Sequence, residues 1–355
     1  MKSNLGLWMR WINLTLVTLT LLCYLSPFVD PAGFSLFALL GLFYPWLLLA
    51  NILFILFWSA ARHRYLIFSL GAILVGFQHC QRFVGFHSQD TDSSPALKVM
   101  TYNCRQLVPM KNSVKKWEPR ELAELVSRYR PDVLCIQEFS LTPYSYQPAL
   151  DLLAEKAGLK YNYSSPREGL AILSRFPMGD AKSTHYYQGQ GKNNGYQYVD
   201  IKTDQGTVRM FNIHLQTNAV SRIADHVVEE GHLKEKKTWL EIKGMLGRYK
   251  RSTAIRAAQA KEIAELVHKS PLPVITCGDF NDVPQSYAYR RLAKGRKDSF
   301  LSRGKGLAIT FKGSIPALRI DYILADPVFR ILSHKTIHEG YSDHYPVMSR
   351  LQLDK

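Results

Sequence analysis

Cysteine is scarce, five in 355 residues and none in Cys-x-x-Cys spacing. A disulfide-built mini-domain is thereby excluded, and nothing points to a thiolate metal site. Acidic charge is also short, 29 Asp+Glu against 45 Lys+Arg, for a net charge of +16. This rules out an acidic disordered tail protein and favours an anionic partner: nucleic acid, a phosphate ester or a lipid surface. Internal repeats and low-complexity tracts are lacking. In the first 88 residues charge of either sign nearly disappears, with Asp30 the one charged residue between Trp11 and Ala61.

That near-absence leaves uncharged runs of 19 residues (Trp11 to Val29), 31 residues (Pro31 to Ala61) and 17 residues (Tyr65 to Gln81). Crossing the hydrocarbon layer takes about 20 mostly apolar residues, with roughly 17–25 the usual range. The runs predict three transmembrane helices near 10–28, 33–59 and 65–82, in a region spanning 1–86. Lys2 and Arg10 precede the first run, Asp30 lies in the first turn, and Arg62 with Arg64 fill the second. Positive residues stay on the cytoplasmic side, so an integral protein of the cell membrane is expected, with the chain after residue 85 outside the cytoplasm.

A polar, turn-rich linker covers 87–96, and a domain of about 260 residues follows over 97–355, enough for one sizeable core. The first 88 residues hold five basic groups and one acidic, so the remainder keeps 40 against 28, a net +12. Short β-rich runs predict strands at Leu97–Tyr102, Val133–Gln137, Leu170–Ser174, Tyr196–Lys202, Val208–His214, Val274–Cys277 and Ile320–Leu324. The fourth and fifth, joined across Thr-Asp-Gln-Gly, form a hairpin. Helical periodicity marks 118–129, 147–157 and 222–268, the last carrying a basic segment at 234–256. Strands alternating with helices predict a layered α/β domain. Cys104, Cys135 and Cys277, in or beside apolar strands, read as small buried hydrophobes.

Polar residues recur where apolar strands end, places a packed core does not want them. Val-Met-Thr-Tyr runs into Asn103, Val-Leu-Cys-Ile-Gln into Glu138, Met-Phe-Asn-Ile into His214, and Val-Ile-Thr-Cys-Gly into Asp279 and Asn281. Asp321 follows Arg-Ile on a strand, and Gly-Tyr-Ser precedes Asp343 and His344. Four carboxylates, two amides and two imidazoles converging in one cleft would make an oxygen-rich site for a hard cation, without thiolates. Such a set suits phosphoester hydrolysis. A carboxylate orients the attacking water, a histidine paired to an aspartate handles protons, and amides donate to phosphate oxygens.

The series Thr-Tyr-Asn, Ile-Gln-Glu, Ile-Leu-Ser-Arg-Phe-Pro, Asn-Ile-His-Leu, Gly-Asp-Phe-Asn, Ile-Asp-Tyr-Ile and Ser-Asp-His resembles the endonuclease/exonuclease/phosphatase superfamily. Pancreatic deoxyribonuclease, exonuclease III, neutral sphingomyelinases and inositol-polyphosphate 5-phosphatases belong to that group. The resemblance covers about residues 97–352 and implies a four-layer α/β sandwich, two packed β-sheets flanked by helices, with the site at one edge. It implies a magnesium cofactor (or manganese in its place) held by Glu138 with Asn103 beside it, and Asp343 at that or a second metal position. It also implies Asp279 as the residue that activates water, Asn281 as a phosphate donor, Asp321 and His344 as the Asp–His pair, and His214 as the second histidine. Glu168 stands where some relatives keep a carboxylate partner for that histidine. Arg105 replaces the acidic residue that DNA-repair members carry two positions after the asparagine, and with Arg175 it is a candidate phosphate contact.

The leading expectation is therefore a membrane-anchored metal-dependent phosphoesterase acting on a phospholipid or lipid-linked phosphate. An extracytoplasmic DNA nuclease is the alternative, since +12 suits a polyanion, and a non-catalytic binding module is the remote one. The expected partners are the bilayer and an anionic phosphoester substrate; no protein partner is evident.

Overall fold

A computed structural model of the chain describes residues 2–87, 94–107, 118–139, 143–186, 194–217, 236–313, 318–339 and 342–354. At its centre lie two six-stranded sheets. The first contains β2 (Leu97–Asn103), β3 (Val133–Gln137), β4 (Tyr161–Ser165), β5 (Leu170–Ser174), β13 (Phe329–Thr336) and β14 (Val347–Leu353), in the order β13-β14-β2-β3-β5-β4. The second contains β6 (Met178–His185), β7 (Gly195–Thr203), β8 (Gly206–His214), β9 (Val274–Asp279), β10 (Lys297–Asp298) and β12 (Asp321–Ala325), in the order β10-β12-β9-β8-β7-β6. A further two-stranded ribbon pairs β1 (Val84–Phe86) with β11 (Lys305–Leu307). Only β2 with β3 and β8 with β9 run parallel among the described pairs.

The period-two alternation of strand side chains builds the layers. Val99, Val133, Cys135 and Ile172 of the first sheet meet Val199, Met210, Ile275 and Cys277 of the second in the central core. The intervening residues Met100, Leu134 and Ile136 face outward onto α6 (Pro119–Tyr129) and α7 (Pro143–Ala157). Phe211, Ile213 and Val274 pack under α8 (Lys236–His268) and α9 (Tyr287–Ala293). The result is the four-layer sandwich, helix–sheet–sheet–helix. α6 begins with a reciprocal capping box between Glu118 and Glu121, with Pro119 at its first turn, where a missing N–H costs nothing. Cys104, Cys135 and Cys277 are buried and free.

The seven predicted strands are all present with ends shifted by two residues or fewer, and the hairpin turns at Thr203–Gly206. β1, β4, β6, β10, β11, β13 and β14 are additional. β4 and β6 are edge strands with mostly half-buried or exposed polar residues, so no apolar alternation marks them. The predicted helical stretch 222–268 is α8 from Lys236 onward; 222–235 lies outside the described residues.

The N-terminal region departs from three uninterrupted transmembrane helices. Only the segment Gly6–Phe28, overlapping α1 (Lys2–Cys23), is long and apolar enough to cross a membrane by itself among the described residues. The expected 33–59 helix is two, α2 (Leu36–Leu42) and α3 (Tyr44–Ala60), bent by 60°. Pro45 lies in the first turn of α3; proline lacks the N–H and crowds the preceding turn, so it starts a helix rather than continuing one. The expected 65–82 helix divides at Gly76 into α4 (Leu66–Val75) and α5 (Phe77–Gln81). An added Cβ at Gly76 would meet the Tyr24 ring at 1.9 Å, so the break coincides with a close approach to the end of α1. The region of 1–86 also contributes β1, paired to the following domain.

His334 is buried in β13 beside Ser299, with its Nδ1 2.8 Å from the Ser299 hydroxyl and Phe300 edge-on to the ring. Burial lowers its pKa to about 4. Between that value and about 6.5 the unfolded chain therefore binds a proton that the folded chain refuses, so stability is lost as pH is lowered through this window. The loss should reach about 3 kcal/mol, read by denaturant unfolding at stepped pH. His334→Asn should flatten the slope between pH 4 and 6.5 by about one proton.

Candidate active site

One edge of the sandwich collects the polar strand ends. In the parallel ladder of β8 and β9, His214 stands opposite Asp279, and in that of β2 and β3 Asn103 stands opposite Gln137, just before Glu138. β12 runs antiparallel to β9 and begins here, so Asp321 also lies opposite Asp279. His344 enters from the segment preceding β14. Asp279, Asp321, His214, Asn103 and His344 are all buried, while the Glu138 side chain is 23% exposed.

Asn103 Nδ2 donates to Asp279 Oδ2 at 2.9 Å and to Glu138 Oε1 at 3.2 Å, linking carboxylates from the two sheets. Its Oδ1 accepts from the Arg105 backbone N–H. His214 Nε2 lies 3.6 Å from Glu138 Oε1 and 3.7 Å from Asp279 Oδ2. Asn281 donates from its backbone N–H to Asp279 Oδ1 at 2.8 Å and from Nδ2 to Asp279 Oδ2 at 3.1 Å. Asp279 thus receives donors on both oxygens. Glu138 and Asn281 sit at φ 52°, in the left-handed region, the kind of local strain that tends to collect at functional sites. Gly278 has φ 136°, and a Cβ there would come within 2.0 Å of the Ile213 carbonyl oxygen. Only glycine lets β9 approach β8 this closely just before Asp279.

His344 Nδ1 is 3.0 Å from Asp321 Oδ2, and its Nε2 is 3.7 Å from Asp279 Oδ2. Burial alone would lower its pKa, but the Asp321 and Asp279 carboxylates outweigh that and raise it to about 10. Burial pushes Asp321 up to about 6, against the pull of His344. At neutral pH the pair is an imidazolium held by a carboxylate. Phe311 lies edge-on to the His344 ring, and the Thr310 hydroxyl accepts from the Ile320 and Asp321 N–H groups.

Eight of the eleven candidates from the sequence converge at this edge: Asn103, Glu138, His214, Asp279, Asn281, Asp321, Asp343 and His344. Within that group Asp343 turns towards Arg105, whose Nε is 3.5 Å away, and towards the Ser342 hydroxyl. Arg105 itself, half-buried in a left-handed turn after β2, is therefore at the rim. Glu168 is buried against Gly195, the residue opposite His214 in the β7–β8 ladder. Arg175 is not brought to the site. It pairs with Asp132 at the opposite end of β3, because β5 runs antiparallel to β3 and carries its C-terminal residues away.

Three supports were not singled out from the sequence. Gln137 Nε2 donates to Asn212 Oδ1 at 2.6 Å, and Asn212 Nδ2 reaches the Ile136 and Ala171 carbonyls, a buried amide bridge between the sheets behind the site. Arg256, fully buried at the end of the basic segment, donates to Asp282 Oδ2 and the Gln216 carbonyl. Thr310 holds the start of β12. An amide inside an apolar strand was the available signal for the first; the partners of Arg256 lie 26 and 40 residues away and left none.

The donor chemistry fits a hard divalent cation: every acidic ligand candidate offers oxygen. Asp279, Asp321 and His344 place potential ligand atoms within 4.8 Å of one another, though the proton on His344 competes with a cation there. Asn103 turns its NH2 towards the carboxylates, so in this arrangement it bridges them. Glu138 is the half-buried carboxylate open to an ion.

The Endonuclease/Exonuclease/phosphatase family profile matches residues 100–344. The chain belongs to the endonuclease/exonuclease/phosphatase family. Members of this family are phosphoric ester hydrolases. A second profile, described only as a domain of unknown function, matches residues 7–83. Nocturnin from Rattus norvegicus is 21% identical over 234 residues, 59% of this chain and 49% of its own; the chain spans about half the length of that curated relative. Among solved structures, an endonuclease/exonuclease/phosphatase from Beutenbergia cavernae superposes with TM-score 0.51 at 20% identity, over 73% of this chain and 72% of the other. ANGEL2, described as a 2',3'-cyclic phosphatase, superposes with TM-score 0.54 at 16% identity, over 77% and 100%. At these identities the likeness concerns the fold.

Asp321→Asn removes the nearest anion from His344. The His344 pKa should then drop well below 10, measured by NMR titration of the ring; an unchanged value would mean that Asp321 does not hold the proton. Arg256→Ala should leave Asp282 buried without its counter-charge and cost about 3–5 kcal/mol of stability by denaturant unfolding, while Arg256→Met with Asp282→Leu recovers most of it.

Proposed function

We propose that this chain is a membrane-anchored, magnesium-dependent phosphoesterase that hydrolyses a phosphodiester or phosphomonoester bond in a phospholipid or lipid-linked phosphate. The observation that carries the reading is the seat of the N-terminal helices directly behind the site. Ala38, Leu39 and Leu42 of α2 pack with Val283, Leu318, Ile320 and Phe311. These residues border the site: Ile320 precedes Asp321, Val283 lies two positions after Asn281, and Phe311 lies against the His344 ring.

The helical region itself is built inside out. Asn13 donates to Ser69, Asn51 to Thr20, and Trp58 Nε1 to Asn13, all buried between α1, α3 and α4. Its outer face shows Trp8, Trp11, Ile12, Leu53, Leu56 and Phe68 among many exposed apolar side chains. Apolar area of this extent marks a surface meant for lipid or a partner, and polar contacts inside an apolar shell are how helices associate in lipid. One end of the bundle meets the domain through Arg82, which donates to the Pro284 carbonyl, and Asp30, which pairs with Lys261. At the other end Arg10 contacts His63, near Arg62 and Arg64. Positive residues favour the cytoplasm, so the catalytic domain is assigned to the opposite, extracytoplasmic side of the cell membrane.

Glu138 would hold the magnesium ion, with Asp279 facing the same cleft; when bound, the ion polarises the phosphoryl oxygen and neutralises its charge. Asp279, oriented by Asn281 and Asn103, accepts a proton from the attacking water or aligns it. The His344 imidazolium, held by Asp321, faces the charge that builds on the phosphoryl oxygens. His214 faces the same cleft from between Glu138 and Asp279.

The test is turnover by the full-length chain in lipid vesicles with magnesium, comparing a phosphodiester lipid, a polyprenyl pyrophosphate and plasmid DNA. Turnover of a lipid, cut at least about a hundredfold by Glu138→Ala, by Asp279→Ala and by EDTA, is expected. Nicking of DNA without lipid turnover would overturn the substrate assignment, and activity surviving EDTA would overturn the metal.

A further inference from the structure

The long helix α8 exposes basic and large apolar residues along its N-terminal half. It runs from Lys236 to His268, about 50 Å at 1.5 Å per residue. Its C-terminal half is a buttress: Thr253, Arg256, Ala260, Ile263 and Val267 form a buried stripe towards the second sheet and its loops. Its N-terminal half has a different environment. Trp239, Leu240 and Leu246 are 59%, 61% and 44% exposed, unusual for large apolar residues on one helix of a folded domain.

Two contacts, one in each half, fix the course of the helix. Lys261 pairs with Asp30, and the Tyr249 hydroxyl donates to the Ala38 carbonyl at 2.8 Å. Asp30 and Ala38 both belong to the end of the helical bundle that faces the domain. The stretch from Tyr249 to Lys261, about 18 Å of helix, is therefore laid across that end. The same axis carries Trp239 about 15 Å further at the same level. If the bundle is embedded, this is the level at which its helices leave the hydrocarbon.

The chemistry of the exposed half matches that level. Trp239, Lys243, Leu246 and Lys250 recur at spacings of four, three and four, so they share one helix face. Lys243, Arg248, Lys250 and Arg251 are exposed, and from Ile242 to Lys261 the sequence has no acidic residue. Tryptophan and leucine interleaved with lysine are the composition of a helix lying in the interface, with cations towards lipid phosphates and the indole at headgroup depth.

We propose that residues Trp239–Arg251 of α8 rest on an anionic lipid surface, a second membrane contact beside the N-terminal bundle. It rests on the membrane reading given under the proposed function and extends it: the catalytic edge is held to the bilayer at two places, and lipids of negative charge gather beside it.

The experiment places the full-length chain in lipid nanodiscs containing brominated lipid, either phosphatidylcholine alone or equal parts phosphatidylcholine and phosphatidylglycerol. The difference in emission between wild type and Trp239→Phe isolates the Trp239 signal. Quenching of that signal several-fold stronger in the phosphatidylglycerol discs is expected, and it should be lost when Lys243, Arg248, Lys250 and Arg251 are all replaced by serine. Equal quenching in both discs overturns the anionic surface. An unquenched Trp239 beside quenched bundle tryptophans (Trp8, Trp11, Trp46 and Trp58) overturns this proposal and leaves the membrane reading standing. No quenching of any tryptophan overturns both. A Trp239 signal that answers to added plasmid DNA and not to brominated lipid assigns the face to nucleic acid and overturns the proposal.

Discussion

Carboxylates gathered at a buried edge repel one another and lose their hydration, so the edge exists only because each is given a partner. Asp279 receives donors from Asn103 and Asn281 and faces two imidazoles; Asp321 is answered by His344. The partners come from both sheets, which makes the packing of the two sheets a condition for the site. The Gln137–Asn212 bridge sits behind that junction and satisfies backbone carbonyls of the first sheet from a strand of the second. Removing either amide would leave a buried polar group without its partner, which is costly in a low-dielectric interior.

The same logic extends outward. Asp282, three residues after Asp279, is buried, and its charge is tolerated because Arg256 reaches it from α8. Asp298 is buried and, although burial alone would raise its pKa, Arg319 and the Tyr289 hydroxyl hold it below the usual carboxylate range. Arg82, at the end of the N-terminal bundle, approaches the Tyr289 ring at 5.8 Å and donates to Pro284 and Gln285. The catalytic loops are thus bounded on one side by paired charges and on the other by the apolar contact with α2. Helices that serve only as a tether have no need of such contacts, and the coupling of bundle to loops is the ground on which the proposed lipid substrate rests.

Much of the site was legible because it is local in sequence. A polar residue closing an apolar strand is visible as such, and seven of these strands carry their buried residues in short unbroken runs. The edge strands β4 and β6 were not legible, since a strand with one neighbour and a wet face has no need of apolar alternation. The roles within the site were also beyond it. Asn103 and Asp343 carry oxygen atoms suited to a metal, yet the folded chain turns the amide NH2 of one towards carboxylates and pairs the other with Arg105. Arg175 has the right charge in the right motif and still lies at the wrong end of the sheet, because strand direction, not residue type, decides which end of β5 meets the cleft.

Hydropathy and strand-end chemistry by themselves settled that an apolar N-terminal segment precedes a layered α/β domain with an acidic, histidine-containing edge. Those properties follow from the chain's own periodicity and need no distant partner. Tertiary structure decided the rest: that the apolar runs break near Pro45 and Gly76 into shorter helices, that α2 lies against the loops of the site, and that Arg256 is a buried counter-charge while Lys243 and Lys250 of the same basic segment face outward. Each of these depends on which residues meet across tens of positions. Such meetings are set by the packing of whole layers, where a charge is stable only if its opposite arrives from elsewhere in the fold.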